Sequence, residues 1–370
     1  MSSESSRHND SETRTPNSLS THKLTLISLL TVLAAILITL FWGDTANLFG
    51  LRRLFGSSAR SAAEPLSASA SVAAAATLKG QSDTFTSDHI QPGMRTPIYF
   101  LSHGGPNIMY EPDHPAYRKL GEIGREITTK VKPKAVVVFS AHWQAGRDTI
   151  QVNTAEKTDL IYDFGGFPSH YYKEKYPHVG SKEVANEVLR LLKEADIPAE
   201  GVKRGLDHGV WVSFKCAFEP DSNPLNVPIV QASLFQTEDP DQHYRLGQAV
   251  AKLREQNILI VVSGMAVHNL RDLRFAFGSS TPMPYAVSFD KALKDAATTA
   301  PAERQKAMAE LLKRPDARQA HPSFEHLLPI HIGAGAAGED LGKRIWTFPE
   351  GSMSWAQYRF GEVGNASSTL

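Results

Sequence analysis

Three histidines of this 370-residue chain each follow a short apolar run, and this spacing is its strongest indication of chemistry. The runs and their histidines are 97–101 with His103, 135–139 with His142, and 258–262 with His268. Short β-branched runs closed by Ser or Gly are typical of buried strands in a mostly parallel sheet. Ligands of such sheets bind beyond the carboxyl ends of the strands. We therefore expect the three imidazoles to meet at one sheet edge, where neutral imidazole can bind a divalent metal ion.

Two further histidines stand beside acidic residues. His208 follows Asp207 in Leu-Asp-His-Gly-Val-Trp, and His326 follows Glu325 in Glu-His-Leu-Leu-Pro. A histidine taken alone is more often a hydrogen-bonded structural residue than a ligand, but three at strand ends favour a metal site. The only cysteine, Cys216, excludes a thiolate-rich site, so histidines and carboxylates would hold the metal. The sequence carries no signature of zincins, P-loop proteins or serine hydrolases.

The charge balance gives no reason to expect nucleic-acid binding. Lys plus Arg and Asp plus Glu both number 39, so the chain has no net charge to attract a polyanion. No basic stripe interleaved with aromatic residues is present either. Nucleic acid is therefore not an expected partner, and the oligomeric state is not indicated.

The N-terminal segments differ in composition from the rest of the chain. Residues 1–23 are polar and charged, which predicts a disordered tail. Residues 24–42 carry no charge and would span about 28 Å as a helix, which predicts a single-pass transmembrane helix. The alternative is a cleaved signal peptide, but the preceding region is long and mixed in charge. Which membrane and which side are not indicated.

A globular domain is expected after an Ala/Ser-rich flexible linker at 43–92, and it covers 93–361 before a disordered tail at 362–370. Strands are predicted at 97–101, 135–140, 227–232, 258–263 and 344–348, and helices at 115–131, 181–195, 240–256, 286–297 and 302–314. Strands that alternate with helices predict an α/β fold, here a single domain whose central mostly parallel or mixed sheet is covered by helices on both faces.

At its motifs the chain resembles the class III extradiol ring-cleaving dioxygenases, the LigB-like family, in the branch of DOPA 4,5-dioxygenase type. The motifs are Ser-His-Gly-Gly-Pro at 102–106, Ser-Ala-His-Trp at 140–143, Asp-Phe-Gly-Gly-Phe-Pro at 163–168, Leu-Asp-His-Gly-Val-Trp at 206–211, His-Asn-Leu at 268–270 and Glu-His-Leu-Leu-Pro at 325–329. The resemblance covers nearly all of the expected globular part, so it implies that 93–361 is the catalytic domain.

The resemblance also implies roles for individual residues. His103, His142 and His326 would hold the metal, with Glu325 as a substitute ligand. His208 and His268 would be the acid/base residues, and His268 would lie close enough to be a further metal ligand. The implied cofactor is Fe(II), with zinc possible in the same site, and the implied substrates are a catechol and O2. The product would be a semialdehyde, because the ring opens next to the two hydroxyls.

Neighbouring residues are expected to shape the site. Trp143, Phe167, Tyr171 and Tyr172 would line a pocket for the aromatic ring, and Asp207 would orient a histidine. Two other functions stay open. Three histidines with an open position also describe a catalytic zinc site, which would make the protein a zinc-dependent hydrolase. The second is a membrane-anchored binding protein that has this fold without catalysis.

Overall fold

The apolar runs that precede the three histidines form neighbouring parallel strands of a mixed eight-stranded sheet. The structure is a computed structural model that describes residues 95–276 and 281–364. Its main-sheet strands are β1 (Ile98–Ser102), β2 (Ala135–Gln144), β3 (Ile150–Asn153), β4 (Ala199–Val202), β5 (Ile229–Leu234), β6 (Ile258–Gly264), β8 (Gly342–Trp346) and β11 (Gln357–Phe360). Their order is β4-β3-β5-β2-β6-β1-β11-β8.

A second, three-stranded sheet is formed by segments that follow β6 in the sequence. It consists of β7 (Val267–His268), β9 (Pro349–Glu350) and β10 (Met353–Ser354), in the order β7-β10-β9, and both pairs are antiparallel. In the main sheet β5, β2, β6 and β1 run parallel, whereas β11 pairs antiparallel with β1. The predicted late strand at 344–348 is β8, and it begins two residues earlier at Gly342.

Helices cover both faces of the main sheet, as the alternation of elements predicts. They are α1 (Pro115–Glu126), α2 (Lys182–Glu194), α3 (His208–Ala217), α4 (Pro240–Val250), α5 (Leu270–Ala276), α6 (Pro284–Ala297), α7 (Pro301–Glu310), α8 (Ala317–Ala320) and α9 (Leu328–Ala336). A π-turn at Ile127–Val131 continues α1 to the end of the predicted helix at 131. The hydroxyl of Ser181 accepts the N–H of Val184 at 3.2 Å and so caps α2, as expected.

The strands separate two hydrophobic cores because consecutive side chains point to opposite faces. In β2, Val137 and Phe139 lie in one core with residues of α2, α4, α6 and α9. Val136 and Val138 lie in the other core, with residues of α1 and α3. Burial of each such side chain contributes about 1.5–3 kcal/mol to folding. A strand that is apolar on both faces is therefore stable only in the middle of the sheet, between the two cores. The polar residues that follow it then lie at the carboxyl end of the strand.

The predicted tail at 1–23, transmembrane helix at 24–42 and linker at 43–92 lie outside the described residues, as does 365–370 of the predicted C-terminal tail. Within 95–276 and 281–364, no helix has both the length and the apolar character needed to cross a bilayer. All of these residues belong to one compact unit, Phe85–Leu370.

Candidate metal centre

The Nε2 atoms of His103, His142 and His326 converge at the carboxyl ends of β1, β2 and β6. The Nε2 of His142 lies 3.2 Å from that of His103 and 3.3 Å from that of His326. His103 directly follows β1, and its N–H donates to the carbonyl of Gly264 at the end of β6 at 3.0 Å. Metal–nitrogen bonds of about 2.1 Å at right angles place two nitrogens about 3 Å apart. Both separations are therefore those expected between neighbouring ligands of one metal ion.

The other ring nitrogen of each histidine faces an oxygen. The Nδ1 of His103 lies 2.9 Å from Oγ of Ser263, and that hydroxyl donates its only proton to the carbonyl of Gly209 at 2.5 Å. The Nδ1 of His326 lies 2.9 Å from Oε1 of Glu325. His103 must therefore donate from Nδ1, and the carboxylate favours the same tautomer in His326.

With the ring proton on Nδ1, the lone pairs of the converging Nε2 atoms point toward one another. For His142, Nδ1 lies 3.4 Å from Oδ2 of Asp163, which favours the same tautomer. Burial lowers the pKa of His142 to about 4, and it lowers the pKa of His103 and of His326 well below that of an exposed imidazole. Neutral imidazoles with converging lone pairs repel each other unless a cation lies between them. The donor set is therefore suited to a divalent metal ion.

His208 is held against this group by Asp163. Oδ1 of Asp163 accepts the backbone N–H of His208 at 3.0 Å and its Nδ1–H at 2.9 Å. Burial alone would raise the pKa of Asp163, but the hydrogen bonds from His208 lower it to about 2. The centre of the His208 ring is 4.0 Å from that of His142. His208 thus presents Nε2 as a proton acceptor beside the three converging nitrogens.

His268 stacks on His326, with ring centres 3.6 Å apart and planes 14° from parallel. Burial lowers its pKa to about 3. Two sets of side chains bring three ligand atoms within 4.8 Å of one another: His103 with His142 and His208, and His268 with Glu325 and His326. The structure therefore gathers all five histidines that the sequence singles out.

Comparison with known proteins agrees with this geometry. Residues 97–361 match the family described as the catalytic LigB subunit of aromatic ring-opening dioxygenase. The chain belongs to the LigB family. Members of this family are metal-dependent class III extradiol dioxygenases, and the relatives of this chain place it with the DOPA 4,5-dioxygenase type.

Three of these relatives carry that name or a closely related one. The 4,5-DOPA dioxygenase extradiol of Beta vulgaris is 36% identical over 272 residues, which cover 71% of this chain and 95% of that protein. A 4,5-DOPA dioxygenase extradiol-like protein of Schizosaccharomyces pombe is 35% identical, with 67% and 87% covered. The 4,5-DOPA dioxygenase extradiol of Escherichia coli K12 is 32% identical, with 74% and 98% covered.

A solved structure shares the fold. The crystal structure of an uncharacterized protein from Escherichia coli K12 superposes with a TM-score of 0.58 at 29% sequence identity. The match covers 72% of this chain and the whole of that chain.

Two residues next to the histidines in this LigB-family protein contact groups other than the histidine rings. Asp207 orients no histidine ring; its carboxylate accepts hydrogen bonds from Ser140 at 2.7 Å and from Arg204 at 3.1 Å. Asp163 holds His208 instead, and its position at the start of Asp-Phe-Gly-Gly-Phe-Pro is the only sequence signal for it. Trp143 packs under Arg204, 4.5 Å from the guanidinium carbon to the ring centre, and makes no ring contact with the five histidines in the described chain.

An aromatic wall of Phe164, Phe167, Tyr171 and Tyr172 stands beside His208. Phe164 contacts the His208 ring with centres 5.6 Å apart. The expected pocket residues surround Phe164: its ring centre lies 5.4 Å from Phe167 and 5.0 Å from Tyr172, and Tyr171 follows at 5.2 Å from Phe167. The residue of this wall that contacts a histidine of the cluster is thus Phe164, and its place in Asp-Phe-Gly-Gly-Phe-Pro is the only sequence signal for it.

We expect Gly209→Ala to weaken metal binding about 10–100-fold, as loss of supporting contacts does at metal sites. A Cβ at Gly209 would lie 2.7 Å from Cδ2 of His142, 2.7 Å from Oγ of Ser140 and 3.2 Å from Cε1 of His103. Alanine itself favours a helix over glycine by about 1 kcal/mol, so a loss must come from displaced side chains. Metal titration of the purified variant measures the effect.

The matched control is Gly121→Ala in α1, where the nearest atoms to a new Cβ lie 3.5 Å away or more. This variant should bind metal as the wild type does. Equal affinities in both variants would show that the rings move aside at no cost, contrary to the expectation.

The metal-free protein should lose stability as the pH falls from about 6.5 toward 4. Burial lowers the pKa of His142, His321 and His331 to about 4 and that of His268 to about 3. In the unfolded chain these imidazoles titrate near 6.5, so below that pH the unfolded state binds more protons than the folded state. Stability is therefore complete above about pH 6.5. The midpoint of thermal unfolding in excess EDTA should fall by about 5 °C or more between pH 7 and 5, and a constant midpoint would contradict the expectation.

Proposed function

We propose that this protein is an Fe(II)-dependent extradiol dioxygenase that opens the ring of a DOPA-like catechol with O2. The observation that carries the proposal is the convergence of three neutral imidazoles, His103, His142 and His326, whose Nε2 atoms lie 3.2 and 3.3 Å apart in the two measured pairs. Three protein ligands leave positions open for substrate. Family membership supports ring opening, and the names of the relatives support a catechol of this type.

Iron is the proposed metal because ring opening by O2 is a redox reaction, and zinc has no redox chemistry. Bound Fe(II) supplies that redox chemistry and raises the acidity of a coordinated hydroxyl. The overall reaction balances without another reductant. One carbon–carbon bond of the ring breaks, and both oxygen atoms of O2 enter the product, an acyclic semialdehyde acid.

The protein's own contribution to the reaction is to hold and move a proton. Nε2 of His208 accepts the proton of a catechol hydroxyl, because Asp163 holds the proton of its own ring on Nδ1 at 2.9 Å. The Asp163 carboxylate then stabilises the resulting imidazolium, as the carboxylate of a catalytic triad does. The same His208 returns the proton to a developing oxygen anion. His268, stacked on His326, is the second acid/base residue.

The test is to load the metal-free protein with Fe(II) without air, add a catechol such as L-DOPA, and admit O2. We expect O2 uptake together with the yellow absorbance of a semialdehyde. Protein loaded with Zn(II) is the matched control and should show neither signal. If the iron-loaded protein shows neither signal with any member of a catechol panel, the proposal is wrong. Hydrolytic activity confined to the zinc form would favour the hydrolase.

We further propose that residues 24–42 anchor the protein in a membrane and that 43–92 tether the catalytic domain. The support is the uncharged length of 24–42, which matches the hydrocarbon thickness of a bilayer. Extraction of membranes at alkaline pH should leave the full chain in the pellet and release a chain that lacks residues 1–92. Release of both chains would contradict the anchor.

A further inference from the structure

Glu350 stands in the same row of side chains as a histidine of the candidate metal centre. In the three-stranded sheet Met353 pairs directly with His268 on one side and with Glu350 on the other. Residues directly opposite each other in antiparallel strands carry their side chains on the same face. Two strand spacings of ~4.8 Å put Glu350 about 10 Å from His268. The Glu350 side chain therefore lies on the face of this sheet that carries His268, with about 10 Å between the two Cα atoms.

Two neutral N–H groups hold this carboxylate. Oε2 of Glu350 accepts from Nε1 of Trp355 and from Nε2 of His114, both at 3.0 Å. His114 caps α1, and its Nδ1 accepts the N–H of Ala116 at 3.1 Å. A ring nitrogen that accepts an N–H carries no proton, so His114 is neutral here and donates from Nε2 only. Glu350 therefore keeps its full negative charge.

The charge of Glu350 is not balanced by another side chain of the described residues. No lysine or arginine in 95–276 or 281–364 forms an ion pair with it, and its side chain is 46% exposed. The carboxylates of Asp163 and Glu325 differ in that the imidazoles they face, His208 and His326, belong to the candidate metal centre. Glu350 is thus an oriented carboxylate whose Oε2 is fixed by neutral donors and whose charge still attracts a cation.

The indole of Trp355 connects Glu350 to the metal centre. Its nitrogen donates to Glu350, and its six-membered ring packs on Gly104, the residue after His103. Gly104 has a φ of +66°, and a Cβ there would lie 2.0 Å from Trp355. The contact between the indole and the backbone thus requires glycine. The Trp355 side chain therefore extends from Gly104, which adjoins the proposed metal ligand His103, to the Glu350 carboxylate.

We propose that Glu350, beside the indole of Trp355, binds the ammonium group of a catechol that carries a protonated amine on its side chain. The inference deepens the proposed ring opening and rests on it. From the hydroxyls of a catechol to an amine on a two-carbon side chain, with a hydrogen bond added, the span is on the order of 10 Å. This matches the spacing between the backbones of His268 and Glu350 across the three-stranded sheet. A catechol with a carboxylate at that position is repelled, and a neutral catechol gains nothing.

The test measures binding, so it does not depend on turnover. The full chain is loaded with Zn(II), which does not react with O2, and titrated calorimetrically with dopamine, 4-methylcatechol and 3,4-dihydroxyphenylacetate. We expect dopamine to bind about threefold to fivefold more tightly than 4-methylcatechol, and the acid to bind most weakly. Glu350→Gln keeps an acceptor for Trp355 and His114 but removes the charge. It should raise the Kd of dopamine by the same factor and shift that of 4-methylcatechol much less.

The matched control is Glu310→Gln, which removes one surface charge from α7 and should preserve the ranking of the three ligands. Equal Kd values for dopamine and 4-methylcatechol in the wild type would overturn the proposal. So would a Glu350→Gln variant whose dopamine affinity stays within twofold of the wild type. With iron and O2, the same substitution should raise KM for dopamine and leave its kcat nearly unchanged, because the contact is remote from the reacting atoms. Absence of ring opening with every catechol would contradict the proposed function, whereas the calorimetric ranking would still decide the role of Glu350.

Discussion

The His208→Ala variant is expected to keep its iron and to lose about 10²–10⁴-fold in kcat, the usual contribution of a positioned acid/base group. The reason is the geometry of the dyad. Asp163 fixes the proton of His208 on Nδ1 at 2.9 Å, so Nε2 is free to accept a proton from the substrate. His103, His142 and His326 stay in place to hold the metal. The measurement pairs iron content with the rate of O2 uptake on the same preparation.

The control for His208→Ala is His178→Ala. His178 lies 3.0 Å from Oγ1 of Thr158 and 2.9 Å from the carbonyl of Tyr176 and is separate from the cluster. This variant should retain both iron and activity. Loss of iron in His208→Ala would contradict the expectation that this variant keeps its metal. His208 also lies within ligand distance of His103 and His142. In that case His208 is a metal ligand and the proton passes through His268.

The parts of this fold that were predictable are those that local sequence encodes. A run such as 135–139 is apolar at every position, and only a strand with a core on each face buries all of it. Three similar runs predict buried strands of one sheet, and in the structure β2, β6 and β1 are neighbours whose polar ends meet at one edge. The placement of His103 and His142 needs no more information than this.

Apart from Glu325 beside His326, the support of the histidines was not predictable, because it depends on pairs that are distant in sequence. Ser263 lies 160 residues from His103, and Asp163 lies 45 residues from His208. No periodicity links such pairs. Two other residues adjacent in sequence to a histidine make their contacts elsewhere. Asp207 adjoins His208 but directs its carboxylate to Ser140, and Trp143 adjoins His142 but packs on Arg204. His142 and Trp143 are consecutive in β2, and consecutive side chains in a strand point to opposite faces.

The site residue His326 illustrates how a loop can be positioned by the end of a strand. Its carbonyl accepts the N–H of Met265 at 2.9 Å, and a Cβ at Gly264 would lie 2.2 Å from that carbonyl oxygen. The loop before α9 therefore packs closely against Gly264, the last residue of β6. Sequence motifs name His326, but only the close packing at Gly264 explains how it reaches nitrogens provided by β1 and β2.

The His326→Ala variant is expected to lose stoichiometric iron, with metal affinity lower by at least about 100-fold and turnover below detection. It leaves His103 and His142 as a pair, and two imidazoles alone bind Fe(II) weakly. Glu325→Gln is the companion variant. In the wild type, Nδ1 of His326 lies 2.9 Å from Glu325. The glutamine keeps an acceptor for this nitrogen, so the variant should retain most of its iron.

Added imidazole separates a missing ligand from a damaged fold. His326 is buried, so its removal leaves a space of imidazole shape beside His268. Imidazole that enters this space returns one nitrogen to the position that faces Nε2 of His142, and iron content and O2 uptake should recover together. Full iron and normal turnover in His326→Ala without imidazole would contradict the assignment. The metal would then be held by another set of the clustered groups, with Glu325 or His268 in place of His326.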